Sequence, residues 1–551
     1  MSMPKRVFIA LALVIAASYT LHAQQVTYDR ILKAAEEPQN WLTYSGGYFS
    51  QRYSSLKQID TSNVKNLEIK WILPNQVFGA WQASPLVVDG IMYVTMRPND
   101  ILAVDAKSGR VFWQYRYNNS PDQRVCCGSN NRGVAILGDT LYMATLDAHL
   151  VAVDAKTGRL LWNVEAGDPK LGYSMTLSPL IIKDKVIVGV GGGEYGIRGF
   201  LAAHDAHTGK ELWRTYTIPG PGEKGHESWR GEDWMHGGGS IWVTGSYDPA
   251  LNLTYWGIGN PGPDWTPAQR PGDNLYTDSV VALDPDTGAI KWHYQFTPND
   301  GYDYDSVQVP VLADIDFRGT QTKAMMWANR NGYFYVLDRA TGKFLSATPF
   351  VKVNWSSGHD ADGRPIPTPQ PAGMPTFPGN QGGTNWFSPS YSPRTGLFYV
   401  SAWLDYASIY RRQEVEYQAG RTFAGAFPIT LTPVPGAPAP GIGRARPINT
   451  WTDAVAHGAV LAIDPKTGQQ KWRFDQFDVT ESGNLTTGGD LLFTGGREGY
   501  FYALEARTGA MLYRSTVGGQ IANGPMTYSV DGKQYVAVIS GNSLIVYGLR
   551  E

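Results

Sequence analysis

Cysteine is almost absent from this 551-residue chain: Cys126 and Cys127 are the only two, and they are adjacent. That count excludes a four-thiolate zinc site and a multi-bridge disulfide framework. It also excludes a c-type haem held by these residues, which would need C-x-x-C-H. Charge is scarce as well. Asp, Glu, Lys and Arg make up 17%, the net charge is −2, and no long basic run occurs, which argues against nucleic acid as the main partner. Long apolar runs are also missing. The one candidate, Val7 to Ala17, follows Lys5-Arg6 and is too short for a good membrane helix. It reads as a secretory signal over 1–23 with Gln24 as the first mature residue, so the product is expected to be soluble and exported.

Glycine (62 residues) and aromatic residues (12%) are plentiful, as in an all-β chain with many turns. A phrase recurs: an apolar run, then Asp-x-x-Thr/Ser-Gly, then an aromatic four residues later. It appears at Asp105–Gly109 with Trp113, Asp154–Gly158 with Trp162, Asp205–Gly209 with Trp213 and Asp284–Gly288 with Trp292. Asp464–Gly468 with Trp472 and Glu505–Gly509 with Tyr513 continue it, while Asp338–Gly342 has Ser346 at the aromatic position. Each copy reads as a hairpin, with Asp bonding back to its own backbone and Gly at positive φ. The Trp is expected to pack between neighbouring sheets. A second strand pair precedes each copy, and four strands per ~40–50 residues mark a propeller blade. With Ser392–Tyr399 as a degenerate copy, the expected fold is an all-β, eight-bladed β-propeller. It forms a single domain over 24–551, closed by an N-terminal strand. Two long connections break the rhythm, Pro219 to Trp234 and the stretch 413–450. The second reads either as a lid or as disordered decoration.

The stretch from Thr297 to Ser306 carries three carboxylates, Asp300, Asp303 and Asp305, among Gly and Tyr. A buried apolar strand could not hold them without partners, and a solvated acidic loop is the bland alternative. Cys126-Cys127 precedes Gly128-Ser129-Asn130-Asn131-Arg132. In an oxidising compartment the two thiols can pair, closing a tight and reducible ring; otherwise they are a buried thiol pair. Gly189 to Gly196 is rich in glycine, with Gly192 and Gly193 able to admit close backbone approach, and it carries Glu194. No helix is expected after it, so it is not a dinucleotide fingerprint. Gly237 to Trp242 alternates like a strand, placing Ser240 and Trp242 on one side, where a hydroxyl and an indole suit the edge and face of a flat ligand. Glu194, Asn260, Asp303 and Asp305 together form an all-oxygen set, which suits a hard cation better than zinc or copper.

These motifs resemble the quinoprotein alcohol dehydrogenases, which carry pyrroloquinoline quinone (PQQ) in an eight-bladed propeller, and among them the lanthanide-type methanol dehydrogenases. The likeness runs from about Trp41 to Gly541. It implies that Cys126 and Cys127 form a disulfide over the quinone, and that Arg132, Thr176, Ser240, Asn385 and the neighbouring Trp386 contact it. Trp242 would stack under the ring, Gly192 and Gly193 would approach it by backbone, and Arg330 would lie beside its reactive carbonyl. Glu194, Asn260 and Asp303 match the metal ligands, and Asp303 also matches the catalytic base. Asp305 matches the extra carboxylate of the lanthanide members, so the resemblance implies a lanthanide ion, with Ca2+ as the alternative. Gln82 stands where methanol enzymes have Glu, Ser240 replaces their Thr and Gly193 their Ala, so methanol itself is not implied as the substrate. The implied reaction is periplasmic oxidation of a small alcohol to an aldehyde, with electrons passed to a separate cytochrome c. A homodimer is left open.

Two rival readings remain at this stage. One is a non-catalytic propeller scaffold of the outer-membrane assembly type, which shares the Trp-bearing repeat but has no need of the Cys pair, Glu194 and the Asp-Tyr-Asp run together. The other is a PQQ-dependent polyol or sugar dehydrogenase. Trp265, Trp403 and Trp451 are candidates for lining the substrate pocket, with packing as the alternative for each.

Overall fold

The computed structural model describes residues 25–425, 429–430 and 456–551. The expected signal segment, Trp451 and most of the loop beyond Gly425 lie outside the described residues. Eight sheets of four or five strands follow one another along the chain; they are antiparallel except where Tyr53–Ser54 adds parallel to Leu485–Thr487, and all but the closing sheet and that added strand are ordered by sequence. The first is Leu86–Val88, Ile91–Met96, Asp100–Asp105 and Val111–Tyr115. The burial pattern explains the layering. The first three strands are almost wholly buried, because both faces pack on neighbouring sheets, while the fourth alternates exposed and half-buried residues at the rim.

The closing sheet joins Met526–Val530, Lys533–Ser540 and Ser543–Leu549 to the N-terminal strand Leu67–Pro74, which pairs antiparallel with Ser543–Leu549. Closure by opposite ends of the chain completes the ring and leaves only the short edges at the rim of each blade. This is the expected eighth blade, reached by a different route than the repeat count suggests. Ser392–Tyr399 is not a further copy of the phrase. It is the turn between Ser390–Ser392 and Leu397–Leu404, the first two strands of the sheet whose outer hairpin is Asp464–Gly468. The closing sheet needs no such turn, since its fourth strand comes from the other end of the chain.

The repeated phrase does what its chemistry predicts. Asp105 Oδ1 accepts from the backbone N–H groups of Lys107 (2.8 Å) and Ser108 (2.9 Å). Gly109 sits at φ +75°, and a Cβ there would lie 2.7 Å from the Trp71 ring of the preceding blade. The same docking places Trp113 over Gly158, Trp162 over Gly209, Trp213 over Gly288, Trp292 over Gly342 and Trp472 over Gly509. Where Ser346 leaves the phrase without its aromatic, Thr348 fills the slot against Gly468. The indole N–H adds a bond to the next blade, as from Trp113 to Ala155 O at 3.2 Å. Burial of a large apolar side chain contributes about 1.5–3 kcal/mol, so these joints tie blade to blade.

One stitching element has no repeat signal. Tyr48 to Arg52 bonds by backbone or side chain to the innermost strands of five consecutive blades, at Ile181, Tyr247, Leu312, Tyr391 and Thr486. Arg52 is buried and donates to Pro525 O, Tyr44 O and Ser84 Oγ. No helix among the described residues is long and apolar enough to cross a membrane.

Candidate active site

A cleft of about 100 Å³ is lined by Cys126, Cys127, Arg132, Thr176, Gly192, Glu194, Ser240, Trp242, Asp303, Asp305 and Arg330. These residues come from segments spread over some 200 positions of the chain, and the inter-blade connections bring them together. Val125, Gly128, Asn130, Ser174, Gly191 and Gln381 complete the lining and were not singled out by sequence. A larger cavity of about 960 Å³ is lined by Tyr302, Trp355, Tyr410 and Arg412. Its one carboxylate, Asp273, is taken up by Arg364 at 2.6 Å, so the chemistry-bearing groups belong to the smaller cleft.

Cys126 and Cys127 are joined as a disulfide, with Cys127 at φ +56°. Cys127 Sγ lies 3.9 Å from Glu194 Oε1. Glu194 sits in the 3-10 turn Gly193–Tyr195 that follows the strand Lys185–Gly189, flanked by Gly192 at φ +112° and Gly196 at φ +66°. No α-helix follows the glycine run, as the sequence indicated.

Gly237 to Trp242 corrects one expectation, for it is not a strand. Gly238 (φ +70°) and Gly239 (φ +65°) turn the backbone out of any ladder. Single bonds hold the run instead, from Gly239 N to Asn260 O (3.0 Å), Ile241 N to Val190 O (2.7 Å) and Gly259 N to Ser240 O (2.7 Å). Ser240 and Trp242 still reach the same cleft.

Arg132 is clamped between two indoles, 4.9 Å from each of the Trp242 and Trp386 ring centroids. Its Nη1 donates to Thr176 Oγ1 (2.8 Å) and Trp242 O (3.2 Å). Trp386 therefore backs Arg132 and does not line the cleft, and its N–H is held by Asn385 Oδ1 at 2.9 Å. Asn385 donates to Gln381 O (3.1 Å), and it is Gln381 that reaches the cleft. Gln82 is 2% exposed and off the lining, with an Oε1 that has no hydrogen-bond partner among the described residues. Gly193 is likewise off the lining; a Cβ there would meet Ser240 Oγ at 3.4 Å and Asn260 Oδ1 at 3.9 Å.

The acidic pair is held by one guanidinium. Arg330 Nη2 donates to Asp303 Oδ2 (2.9 Å) and Nη1 to Asp305 Oδ2 (2.6 Å), while Nε donates to Asn380 O (3.1 Å). Asp305 Oδ1 accepts from Asn260 N at 2.9 Å. A Cβ on Gly259 would lie 2.3 Å from Asp305 Oδ1 and 2.9 Å from Ser240 Oγ, so this approach requires glycine. Asp303 sits at φ +62° with one-fifth of its side chain exposed to the cleft. Burial pushes its carboxyl well above the usual range; Arg330 opposes this, and Asp305, Asp264 and Glu194 push it further up. The tightest metal-ligand trio among the described residues is Cys126, Cys127 and Glu194, but a disulfide sulfur is a poor ligand for a hard ion. Glu194, Asp303 and Asp305 do not bring three ligand atoms that close, and Arg330 engages one oxygen of each aspartate.

Of the three tryptophan candidates, Trp403 is a core residue, its indole N–H bonded to Thr480 O at 2.6 Å. Trp265 is 5% exposed and packs 5.8 Å from Tyr410, outside the cleft lining. The described part of the expected lid packs against the backbone of the Glu194 turn and the 265–269 segment, and none of its residues lines the cleft. Phe423 N donates to Glu194 O (2.6 Å), Trp265 N to Ala424 O (3.1 Å) and Gln269 Nε2 to Val415 O (2.6 Å). Tyr417 stacks on His236 with ring centroids 3.4 Å apart.

The fold and the cleft define a dehydrogenase propeller. Residues 41–372 match the family described as "Glucose/ethanol/alcohol dehydrogenase, beta-propeller domain". Residues 456–548 match the repeat of "Outer membrane protein assembly factor BamB". The chain is 38% identical to quinoprotein alcohol dehydrogenase PedH of Pseudomonas putida, over 98% of this chain and 92% of the relative. It is 35% identical to the lanthanide-dependent methanol dehydrogenase of Methylacidiphilum fumariolicum, over 93% and 86%. A solved europium-containing methanol dehydrogenase superposes with a TM-score of 0.86 at 33% identity, covering 95% of this chain and all of the other. The chain belongs to the PQQ-dependent quinoprotein alcohol dehydrogenases, and the scaffold reading falls with that.

The residues fit the family's cofactors. Trp242 and the disulfide offer two faces for a flat ring, Arg132 and Thr176 offer polar edge contacts, and the cation side is all oxygen.

Proposed function

We propose that this enzyme oxidises small alcohols to aldehydes in the periplasm, binding PQQ between Trp242 and the Cys126–Cys127 disulfide beside a lanthanide ion held by Glu194, Asn260, Asp303 and Asp305. The observation that carries it is the Arg330 bridge, which holds two aspartates side by side at the mouth of the quinone cleft. The bound quinone supplies a two-electron acceptor for a hydride, and a neighbouring cation polarises it.

The protein's own part is positioning and proton handling. Asp303 accepts the alcohol proton at Oδ1, since its Oδ2 accepts from Arg330 Nη2. A cation at the site offsets the burial and like charges that push the Asp303 carboxyl up, so the base stands ionised when loaded. Arg330 fixes the base in place. Arg132, immobilised between two indoles, offers a charged anchor for an anionic ring edge. The 413–425 strap shields the Glu194 turn from water.

A trivalent ion is favoured because Asp305 adds an anionic oxygen beyond what calcium needs. Calcium is the alternative. Export is supported by the disulfide, which persists in an oxidising compartment. An external cytochrome c is the electron acceptor, since these residues hold no C-x-x-C-H. The test is reconstitution of the metal-free protein with PQQ plus either La3+ or Ca2+, followed by turnover of an alcohol panel with an artificial acceptor. La3+-dependent oxidation is expected, and turnover with calcium alone would remove the role given to Asp305.

A further inference from the structure

The N-terminal segment that stitches the blades together also encloses a cavity of its own. It measures about 270 Å³, lies among Ile31, Trp41, Ser45, Gly47, Arg52 and Pro249, and shares no lining residue with the quinone cleft. Arg52 is the one charged residue that lines it. The side chain is 1% exposed, and four of its five N–H groups go to neutral oxygens: Nε to Pro525 O (3.1 Å), Nη1 to Tyr44 O (3.1 Å), and Nη2 to Ser84 Oγ (3.0 Å) and Gly524 O. The remaining N–H, on Nη1, has no partner among the described residues. The equally buried Arg339 is treated differently, for it pairs with Asp248 and Asp314, each at 2.7 Å. No carboxylate among the described residues does this for Arg52. A buried charge with no countercharge is costly. Burial pulls the Arg52 guanidinium down to about 10, which still leaves it cationic at neutral pH.

Two further groups lining the same cavity lack partners. Trp41 is 2% exposed and Ser45 4% exposed, and neither the indole N–H nor the hydroxyl has a hydrogen-bond partner among the described residues. An indole N–H can only donate, and when buried it usually finds an acceptor. Arg52 lies over the Trp41 ring, 5.6 Å from its centroid, so the charge and the spare donors belong to one neighbourhood. Gly46, at φ +87°, turns the chain tightly against that ring, while a Cβ on Gly47 would meet nothing within 4 Å. A positive charge with donors to spare and no acid suits a small anion that carries several acceptor oxygens.

We propose that this cavity is an oxyanion site, taking sulfate, phosphate or a small carboxylate on the free Nη1 N–H of Arg52, the Trp41 indole N–H and the Ser45 hydroxyl. The ion supplies the countercharge that the chain does not. It also ties Trp41 and Ser45 to the Tyr48–Arg52 stitch, so it clamps the inner strands of five blades and acts on stability rather than on turnover. The quinone and cation readings are not needed for it.

Sulfate is the probe. Radiolabelled sulfate is dialysed to equilibrium against the full chain, loaded with PQQ and La3+ so that Arg132 and Arg330 of the cleft are occupied, at an ionic strength held constant with chloride. One saturable sulfate per chain is expected, displaced by phosphate and not by chloride. Replacing Arg52 would also cut its bonds to three loops, so the smaller substitutions Trp41→Phe and Ser45→Ala carry the test, with circular dichroism to confirm the fold. Each is expected to raise the sulfate dissociation constant about tenfold, as for the loss of one hydrogen bond to an ion. A wild-type chain without saturable sulfate, or an affinity unmoved in both variants, overturns the proposal. The melting temperature gives a second reading. Sulfate stabilises proteins in general, so the comparison is between proteins: wild type is expected to gain more from saturating sulfate than either variant, and an equal gain in all three counts against the site.

Discussion

Arg330 reaches Asp303 Oδ2 at 2.9 Å with one terminal nitrogen and Asp305 Oδ2 at 2.6 Å with the other, so two acids two residues apart are set by one planar group. Burial works against its charge, while Asp303, Asp305 and Asp300 push its pKa up and keep it cationic. A lysine could keep the charge but not the fork. R330K is therefore expected to lose about 100-fold in kcat with the fold intact, since misplacing a reacting group by about 1 Å costs that much. R330A leaves two buried carboxylates without their partner and is expected to cost about 3–5 kcal/mol of stability in the metal-free protein. Steady-state kinetics and denaturant unfolding read the two effects separately.

Asp303 is the group assigned to the alcohol proton, and it is poised at positive φ with one face open to the cleft. D303N keeps the shape and removes the base. Its kcat is expected to fall about 10²–10⁴-fold, the usual contribution of a positioned acid or base. PQQ binding, followed by visible absorbance, is expected to persist, because Trp242, Arg132 and the disulfide are untouched. Retained turnover would move the base elsewhere.

What could be read from sequence was what is local. The Asp-to-Gly turns declare their own hydrogen bonds, and the Trp four residues on has one place to pack, so the blades were visible without a structure. Asp303 and Asp305 stood out because carboxylates among Gly and Tyr need partners if they are buried, and Arg330 is that partner here. Contacts made by distant segments were not visible. Closure by an N-terminal strand is expected from the repeat, but nothing in the composition of Leu67–Pro74 marks it as the strand that pairs with Ser543–Leu549. Ser392-Pro393-Arg394-Thr395-Gly396 looks like the repeat turn but joins a different pair of strands, because the same turn chemistry serves both hairpins. Gly238 and Gly239 break an alternation that looked like a strand, since period-two patterning does not register positive φ.

The blade joints make a stability prediction independent of the cleft. A methyl group on Gly158 would lie 2.6 Å from the Trp113 ring, and the backbone there is at φ +73°. Both the clash and the left-handed conformation oppose alanine. G158A is expected to lower unfolding stability by about 1–3 kcal/mol. The change in kcat should be small, because the joint lies at the rim of the ring. A comparable substitution at Gly396, where a Cβ meets nothing within 4 Å, should cost less and through φ alone.

Asp478 predicts a pH dependence away from the cation site. It is buried, its Oδ1 accepts from Val479 N at 2.8 Å, and its Oδ2 has no partner among the described residues. Burial raises its pKa to about 6; Arg497 and the Val479 N–H oppose that, and Glu498 and Glu481 add to it. The folded state therefore keeps this proton at pH values where the unfolded chain has released it. The stability associated with Asp478 is fully present below pH ~4 and is lost as pH rises toward 6, with no further loss above. D478N removes that loss. Relative to wild type it should be progressively more stable from pH 4 to 6, with the difference level at pH 7 and 8. Denaturation midpoints of the two proteins across that range check this, and a difference that stays flat from pH 4 upward would show that Asp478 titrates at its ordinary value.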